Sequence, residues 1–399
     1  MSSSGYRTSG LLFEPLELHE DPYPIYRRLR DERPVYADPD GRFWALSRHA
    51  DVQAAARDWQ RFSSAAGNDL DDTSLLFAPA GELTHADPPL HTRLRDAIKR
   101  EFAVGAVRAR LEPAVRAEVR RAVADLRVGE RVDFAQQLAL PLPAAVICGW
   151  LGFPREDHAE LVGWFEAMLE RAPGQLELPA AALHARDQMR AYILDAVRAR
   201  RRRARDDLLG VFVRAERAEA LSEDEVLGSA MLLFFAGITT TSALIASSLL
   251  HLDRFADQRQ LLRASPELAP AAVEELLRFD APLQWLTRIA ACDVSVRERT
   301  IPEGSRVLLI WASANRDERR WPSPDELILS RERLRNIAFG EGIHHCLGAP
   351  LARLEARVVL EELMPAIVDY ELDGPVARLY TQTERTITRL PMRVQWSAD

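Results

Sequence analysis

Apolar positions recur along this chain mostly at the spacing of helices. Val107, Leu111, Val115, Val119 and Val123 repeat every four residues and form one apolar face, which Gly129 brings to an end. No charged residue occurs between Val226 and Leu250, and Ser222 with Glu225 has the spacing of a capping box opening that segment. Pro270 predicts the start of a shorter helix, with Pro282 just beyond its end. Leu351, Leu354 and Val358 share one face of a last helix over about 347–363. Strand signals are fewer and short, at 42–47, 305–311 and 393–396. No internal repeat or low-complexity linker interrupts the pattern, so it predicts one mainly α unit over 1–399 with a minor β portion.

The uncharged stretch is long enough to cross a bilayer, but it carries Ser229, Gly237, Thr239, Thr240, Thr241, Ser242, Ser247 and Ser248. That polarity favours a helix buried through the middle of a large helical protein over a single span. With 47% hydrophobic residues the chain has material for a sizeable core, and its formal net charge of −8 argues against general binding to nucleic acid or anionic membranes. The basic run 198–205 is interrupted by alanines, ends in Asp206-Asp207 and has no aromatic residue for base stacking, so it reads as a solvated helix end. Cys148, Cys292 and Cys346 are too few and too far apart for a disulfide framework. The first residues lack the apolar core of a signal peptide, and the expected location is the cytoplasm.

Chemistry concentrates in Phe339-Gly-Glu-Gly-Ile-His-His-Cys-Leu-Gly348. Gly340, Gly342 and Gly348 let the backbone turn tightly around Cys346, and the helix that follows favours a thiolate through its positive end. Such a thiolate suits haem iron. A buried structural cysteine is the competing reading; zinc held by His344, His345 and Cys346 is another, although three adjacent residues cannot all point at one ion.

The segment resembles the haem-binding signature of the cytochrome P450 superfamily, in its soluble bacterial class: Phe-Gly-x-Gly-x-His-x-Cys-x-Gly, then Leu-Ala-Arg-x-Glu. Phe339, Gly340, Gly342, His344, Cys346, Gly348, Leu351, Ala352, Arg353 and Glu355 fill those places in order. The resemblance implies a cytochrome P450-type fold, with haem b (iron protoporphyrin IX) between the central helix and the cysteine-loop helix. Cys346 would be the axial ligand of the iron, with Phe339, Gly340, Gly348 and Ala236 against the cofactor. His91, Arg95, Arg288 and His344 would meet the propionates. Glu275 and Arg278 would form a buried ion pair with an arginine upstream of the loop, Arg331 or Arg333. Ala236-Gly237-Ile-Thr239-Thr240 resembles the oxygen-binding groove, in which the Thr240 hydroxyl assists protonation; the competing reading is a small-residue packing face whose threonine side chains bond back to the helix. The family usually has Asp or Glu where this chain has Thr239, so protons would need another relay, a substrate group, or peroxide in place of O2.

The same resemblance places Leu75, Phe77, Leu233, Leu283, Gln284, Trp285, Leu286, Thr386 and Ile387 on the substrate pocket. That set is mostly apolar and uncharged, which suggests a small apolar or aromatic organic substrate. The implied activity is insertion of one oxygen atom from O2, as hydroxylation or O-demethylation. Because 53 residues follow Cys346, no fused reductase is expected. Electrons would come from NAD(P)H through ferredoxin reductase and ferredoxin, docking near Arg93, Lys99 and Arg100. The alternatives are a peroxide-driven peroxygenase or other haem enzyme of the same fold, and a non-catalytic haem protein that binds a ligand.

Overall fold

The computed structural model describes residues 20–70, 83–170, 177–332, 335–379, 381 and 383–398. Leu75, Phe77 and Arg333 lie outside the described residues.

The uncharged stretch forms the middle of a 32-residue helix, Glu223–Arg254. Its first turn is closed by the expected box: the Glu225 amide donates to Ser222 Oγ at 3.2 Å, and the Ser222 amide donates to the Glu225 carboxylate at 2.8 Å. Both faces are covered. Val226, Ala230, Ile238 and Leu249 are fully buried, as are the hydroxyl-bearing Thr239, Ser242 and Ser248. The helices Pro141–Leu151, Ala180–Arg202 and Ala349–Ala366 pack against it. A helix long and apolar enough for a membrane is therefore spent on the core.

The four-residue repeat forms helix Val104–Leu126, with Val107, Leu111, Val115, Val119 and Val123 all buried. It packs against Ala349–Ala366, and Arg116 joins the two through Glu361 at 2.7 Å. Pro270 sits in the first turn of helix Ala269–Phe279, as its missing amide donor allows.

The strands are short. One sheet has five, in the order Val35–Ala37, Trp44–Leu46, Arg306–Leu309, Leu286–Ala290, Phe62–Ser63, and only the second and third pair in parallel. A three-stranded sheet sets Pro391–Trp396 between Arg131–Asp133 and Ile367–Leu372. Two small hairpins, Val294–Val296 with Arg299–Ile301 and Ala377–Arg378 with Ile387–Arg389, complete the β portion of the described residues.

Arg198, Arg202, Arg203 and Arg205 of the basic run are exposed, as expected, and two of its arginines depart from that reading. Arg200 is buried, and its Nε donates to Asp207 Oδ2 at 2.9 Å. Asp207 caps the next helix, Leu208–Arg217, by accepting from the Gly210 amide at 2.7 Å, which leaves its other oxygen needing a partner. Arg201 bonds to Glu216 and Glu223. These two arginines join helices rather than face water; a run-wide charge count cannot reveal such pairing.

Candidate active site

The cysteine loop is held by short-range backbone bonds. The Cys346 amide donates to Phe339 O at 2.9 Å and the Gly340 amide to Ile337 O at 3.0 Å. Gly342 has a φ of +74°, and a Cβ there would stand 2.5 Å from Ala56 O and 3.0 Å from Arg57 Cα. The loop thus presses on helix His49–Arg57 through a contact that only glycine permits. Gly342→Ala is expected to displace the loop; haem incorporation, read from the ratio of haem to protein absorbance, should fall several-fold. Unchanged incorporation would mean that the loop tolerates the shift.

Cys346 faces a cavity between this loop and the central helix. Burial pushes its thiol up; the amides of Gly348 and Ala349 at the start of helix Ala349–Ala366, and the charges of Arg95 and Arg353, work the other way. An ionised sulfur here calls for a cation in the cavity. Leu233, Ala236, Gly237 and Thr240 of the central helix form the opposite wall, with Leu283 and Leu286 beside them; Phe339, Gly340 and Gly348 line the sulfur side.

One edge of the cavity carries Arg95, Arg288 and His344, with His91 packed against His344 outside the lining. His91 and His344 meet edge to face, ring centroids 4.4 Å apart, and the Nε2 atom of each is buried without a hydrogen-bond partner among the described residues. Arg95 lines the cavity and donates to His345 O at 2.9 Å. Arg288 is buried and bonded to its neighbour's carbonyl, Thr287 O, at 2.7 Å; among the described residues no carboxylate is in ion-pair range. Burial pushes Arg288 down to about 10; burial first, then Arg288, His91 and Arg95, pushes His344 down to about 2. Buried guanidinium and imidazole groups with unmet hydrogen bonds suit anionic carboxylates. A flat ligand with one soft-metal coordination site, an apolar body and an anionic edge, as haem has, fits this donor set. Among the described residues no cluster of three or more His, Cys, Asp or Glu is arranged to hold a metal ion, so the zinc reading lacks its ligands.

Glu275 and Arg278 lie in the fully buried part of helix Ala269–Phe279. The Arg278 guanidinium donates to both carboxylate oxygens, at 2.7 and 2.8 Å. Arg331 Nε and the Ile328 amide each add a bond to Glu275 Oε1 at 3.0 Å. Arg331 is therefore the third member.

On the central helix, Thr240 borders the cavity and its hydroxyl donates to Ala236 O at 3.0 Å. A Cβ at Gly237 would stand 3.1 Å from Ile147 Cγ1, so a larger residue would crowd the neighbouring helix. Thr239 points elsewhere: it is buried, and its hydroxyl donates to Glu384 Oε1 at 3.2 Å. No local pattern marks Glu384, which lies 145 positions away. Of the expected pocket residues, Leu233, Leu283 and Leu286 line the cavity, whereas Gln284, Trp285, Thr386 and Ile387 are buried outside its lining. On the surface, Arg93 is taken up by a bidentate bond to Glu225, and Lys99 by Asp96 at 2.6 Å.

The family described as Cytochrome P450 matches residues 253–366, the span holding the Glu-x-x-Arg helix and the cysteine loop. Over a longer span, cytochrome P450 130 of Mycobacterium tuberculosis is 38% identical across 373 residues, 89% of this chain and 90% of that protein. The chain belongs to the cytochrome P450 family. This P450 is also 38% identical to the vitamin D(3) 25-hydroxylase of Pseudonocardia autotrophica over 355 residues, 86% of each chain. The crystal structure of CYP109E1 from Bacillus megaterium in complex with testosterone superposes with a TM-score of 0.86 at 26% identity, covering 94% of this chain and 98% of that one. The fold is therefore that of bacterial P450s, and the chain is an oxidoreductase of the monooxygenase family, whose members use haem, O2, redox partners and organic substrates.

Proposed function

We propose that this P450 hydroxylates an apolar organic molecule of polycyclic, steroid-like size, with haem b bound through the Cys346 thiolate. The observation that carries the reading is the uncharged, mainly apolar wall of Leu233, Ala236, Gly237, Leu283 and Leu286 facing Cys346. Apolar pockets select by shape and desolvation, and the named relatives include a vitamin D(3) hydroxylase and a testosterone complex.

When bound, haem supplies the oxygen-splitting chemistry, with electron density pushed from the thiolate. The rest is done by the chain. Cys346 provides the ligand, and its loop amides hold the negative charge. His91, Arg95, Arg288 and His344 receive the propionates and orient the ring. The apolar wall excludes water and positions the substrate, while Thr240 holds a hydroxyl proton at the cavity edge. Residues 1–399 act as one cytoplasmic unit, and electrons pass from NAD(P)H through ferredoxin reductase and ferredoxin. Arg100 belongs to the docking face; Arg93 and Lys99 contribute less, because Glu225 and Asp96 already hold their charges.

Visible absorption of the haem-loaded ferric protein, titrated with testosterone, vitamin D3 and toluene, tests the substrate class. The two large apolar compounds should move the spectrum from low to high spin at micromolar concentration and toluene only weakly. A shift by toluene alone would overturn the size class, and product formed faster with hydrogen peroxide than with ferredoxin and NADPH would select the peroxygenase alternative.

A further inference from the structure

We propose that Glu384 supplies the carboxylic acid that the central helix lacks, feeding protons to the oxygen side of the cavity through the hydroxyls of Thr239 and Thr240. The inference rests on the oxygen-activating role proposed for that cavity, not on the identity of the organic substrate.

The placement of Glu384 is specified from several sides. It lies in the turn between strands Ala377–Arg378 and Ile387–Arg389. Its amide donates to Thr381 Oγ1 at 3.0 Å, and the Thr381 hydroxyl donates back to its carbonyl at 2.9 Å. Its backbone bridges to Leu283, whose side chain lines the cavity. The carboxylate then accepts from the Thr239 hydroxyl at 3.2 Å through Oε1 and from the Thr386 hydroxyl at 3.4 Å through Oε2. A turn distant in sequence thus delivers an acid to the residue just before Thr240.

The company this carboxyl keeps is unusual for the molecule. Glu275 has two arginine partners, Asp207 has Arg200, and Asp280 has His251 and Arg385. Among the described residues, Glu384 has hydroxyls only. The next residue, Arg385, turns towards Asp280 at 3.2 Å, and Arg378 donates to Arg385 O at 3.4 Å; neither reaches the Glu384 carboxylate. The uncharged stretch of the central helix and the segment 281–286 bring no charge to it either. Burial, only partly offset by the two hydroxyl bonds, pushes its carboxyl up to about 7. An acid in that range both holds and releases a proton at neutral pH, as a relay must.

The exchange balances simply. A protonated Glu384 donates to the Thr239 oxygen, Thr239 turns to give its own proton to Thr240 Oγ1, Thr240 turns from Ala236 O to release its proton into the cavity, and the carboxylate regains a proton from solvent. Reduction of O2 to peroxide takes two electrons and two protons. Carrying the oxygen on to water takes two more of each, all electrons coming from NADPH. A starved relay therefore shifts oxygen use towards peroxide.

Two measurements on the full chain test the proposal. The first is an infrared titration of the carboxylic acid C=O stretch, made with and without haem. A band that disappears with a midpoint near pH 7 should be present in the parent and absent from Glu384→Gln, which keeps the side-chain shape. The second supplies NADPH, a surrogate ferredoxin and its reductase to the haem-loaded protein with no organic substrate, and measures peroxide released per O2 consumed from pH 6 to 9. Parent protein should release more peroxide as pH rises through 7. Glu384→Gln should release several-fold more than parent at pH 6 and lose that pH dependence, and Thr239→Val should behave alike. A titrating band that survives in Glu384→Gln would overturn the proposal. So would an unchanged peroxide fraction and pH profile, which would leave Glu384 as a peg fastening the turn to the helix. The proposal also fails if Glu355→Gln alters the fraction and Glu384→Gln does not, because Glu355 is likewise buried without a cation among the described residues but makes no hydrogen bond to the central helix.

Discussion

Replacing Cys346 with alanine is expected to reduce monooxygenase turnover to background while leaving the fold intact. The sulfur faces the cavity rather than a packed neighbour, so its loss opens no hole in the core. The loop bonds from Cys346 N and Gly340 N are made by backbone and survive the change. What disappears is the one cysteine sulfur among the described residues of the cavity wall and, with it, the electron push that a thiolate ligand there would supply. Haem affinity should drop, and the carbon monoxide spectrum of the reduced protein should lose its thiolate character. Circular dichroism and the urea midpoint should stay close to those of the parent. An alanine variant that keeps the thiolate-type spectrum would remove Cys346 from the ligand position.

Glu275→Gln should destabilise the fold by about 3–5 kcal/mol. Glutamine keeps the shape of the side chain but removes the one negative charge shared by Arg278 and Arg331, whose side chains are only 1% and 10% exposed. Two buried guanidinium groups would then stand together without an anion. Arg278 would still hold the carbonyls of Asn315, Pro324 and Glu326, and Arg331 those of Pro322, Ser323 and Glu326, so the damage should come from the missing charge between them rather than from unmet guanidinium hydrogen bonds. The segment carrying Arg331 leads into the cysteine loop, so haem should be lost before the helices unfold. Urea denaturation checks the size. Because the pair is buried, added salt should change little. A loss below about 1 kcal/mol would class the pair with surface bridges.

Much of this P450 was legible in its sequence because the signals are local. The four-residue repeat from Val107 to Val123 needs only helical geometry to define a buried face, and Ser222 with Glu225 needs only one turn to close a cap. The cysteine loop and the Glu-x-x-Arg pair are likewise short patterns at fixed spacing, and Arg331 was among the arginines that the family pattern pointed to. The uncharged stretch was readable as a buried helix from its own hydroxyl residues.

Other features exist only once distant segments meet. Gln284, Trp285, Thr386 and Ile387 have the sequence positions of pocket residues, but strand direction and the packing of the C-terminal turn set them outside the cavity lining. Arg200 and Arg201 read as solvated charge until Asp207, Glu216 and Glu223 come alongside. The deepest case is Thr239. From the sequence it is a missing acid; in the fold it touches one, because the turn carrying Glu384 is pinned at Leu283 and Thr381 and leans on the central helix. Periodicity and short motifs determine which residues face inward on one element, since those depend on a few dihedral angles repeated along it. Which inward-facing residues meet depends on how elements cross, and that is decided by packing over the whole molecule.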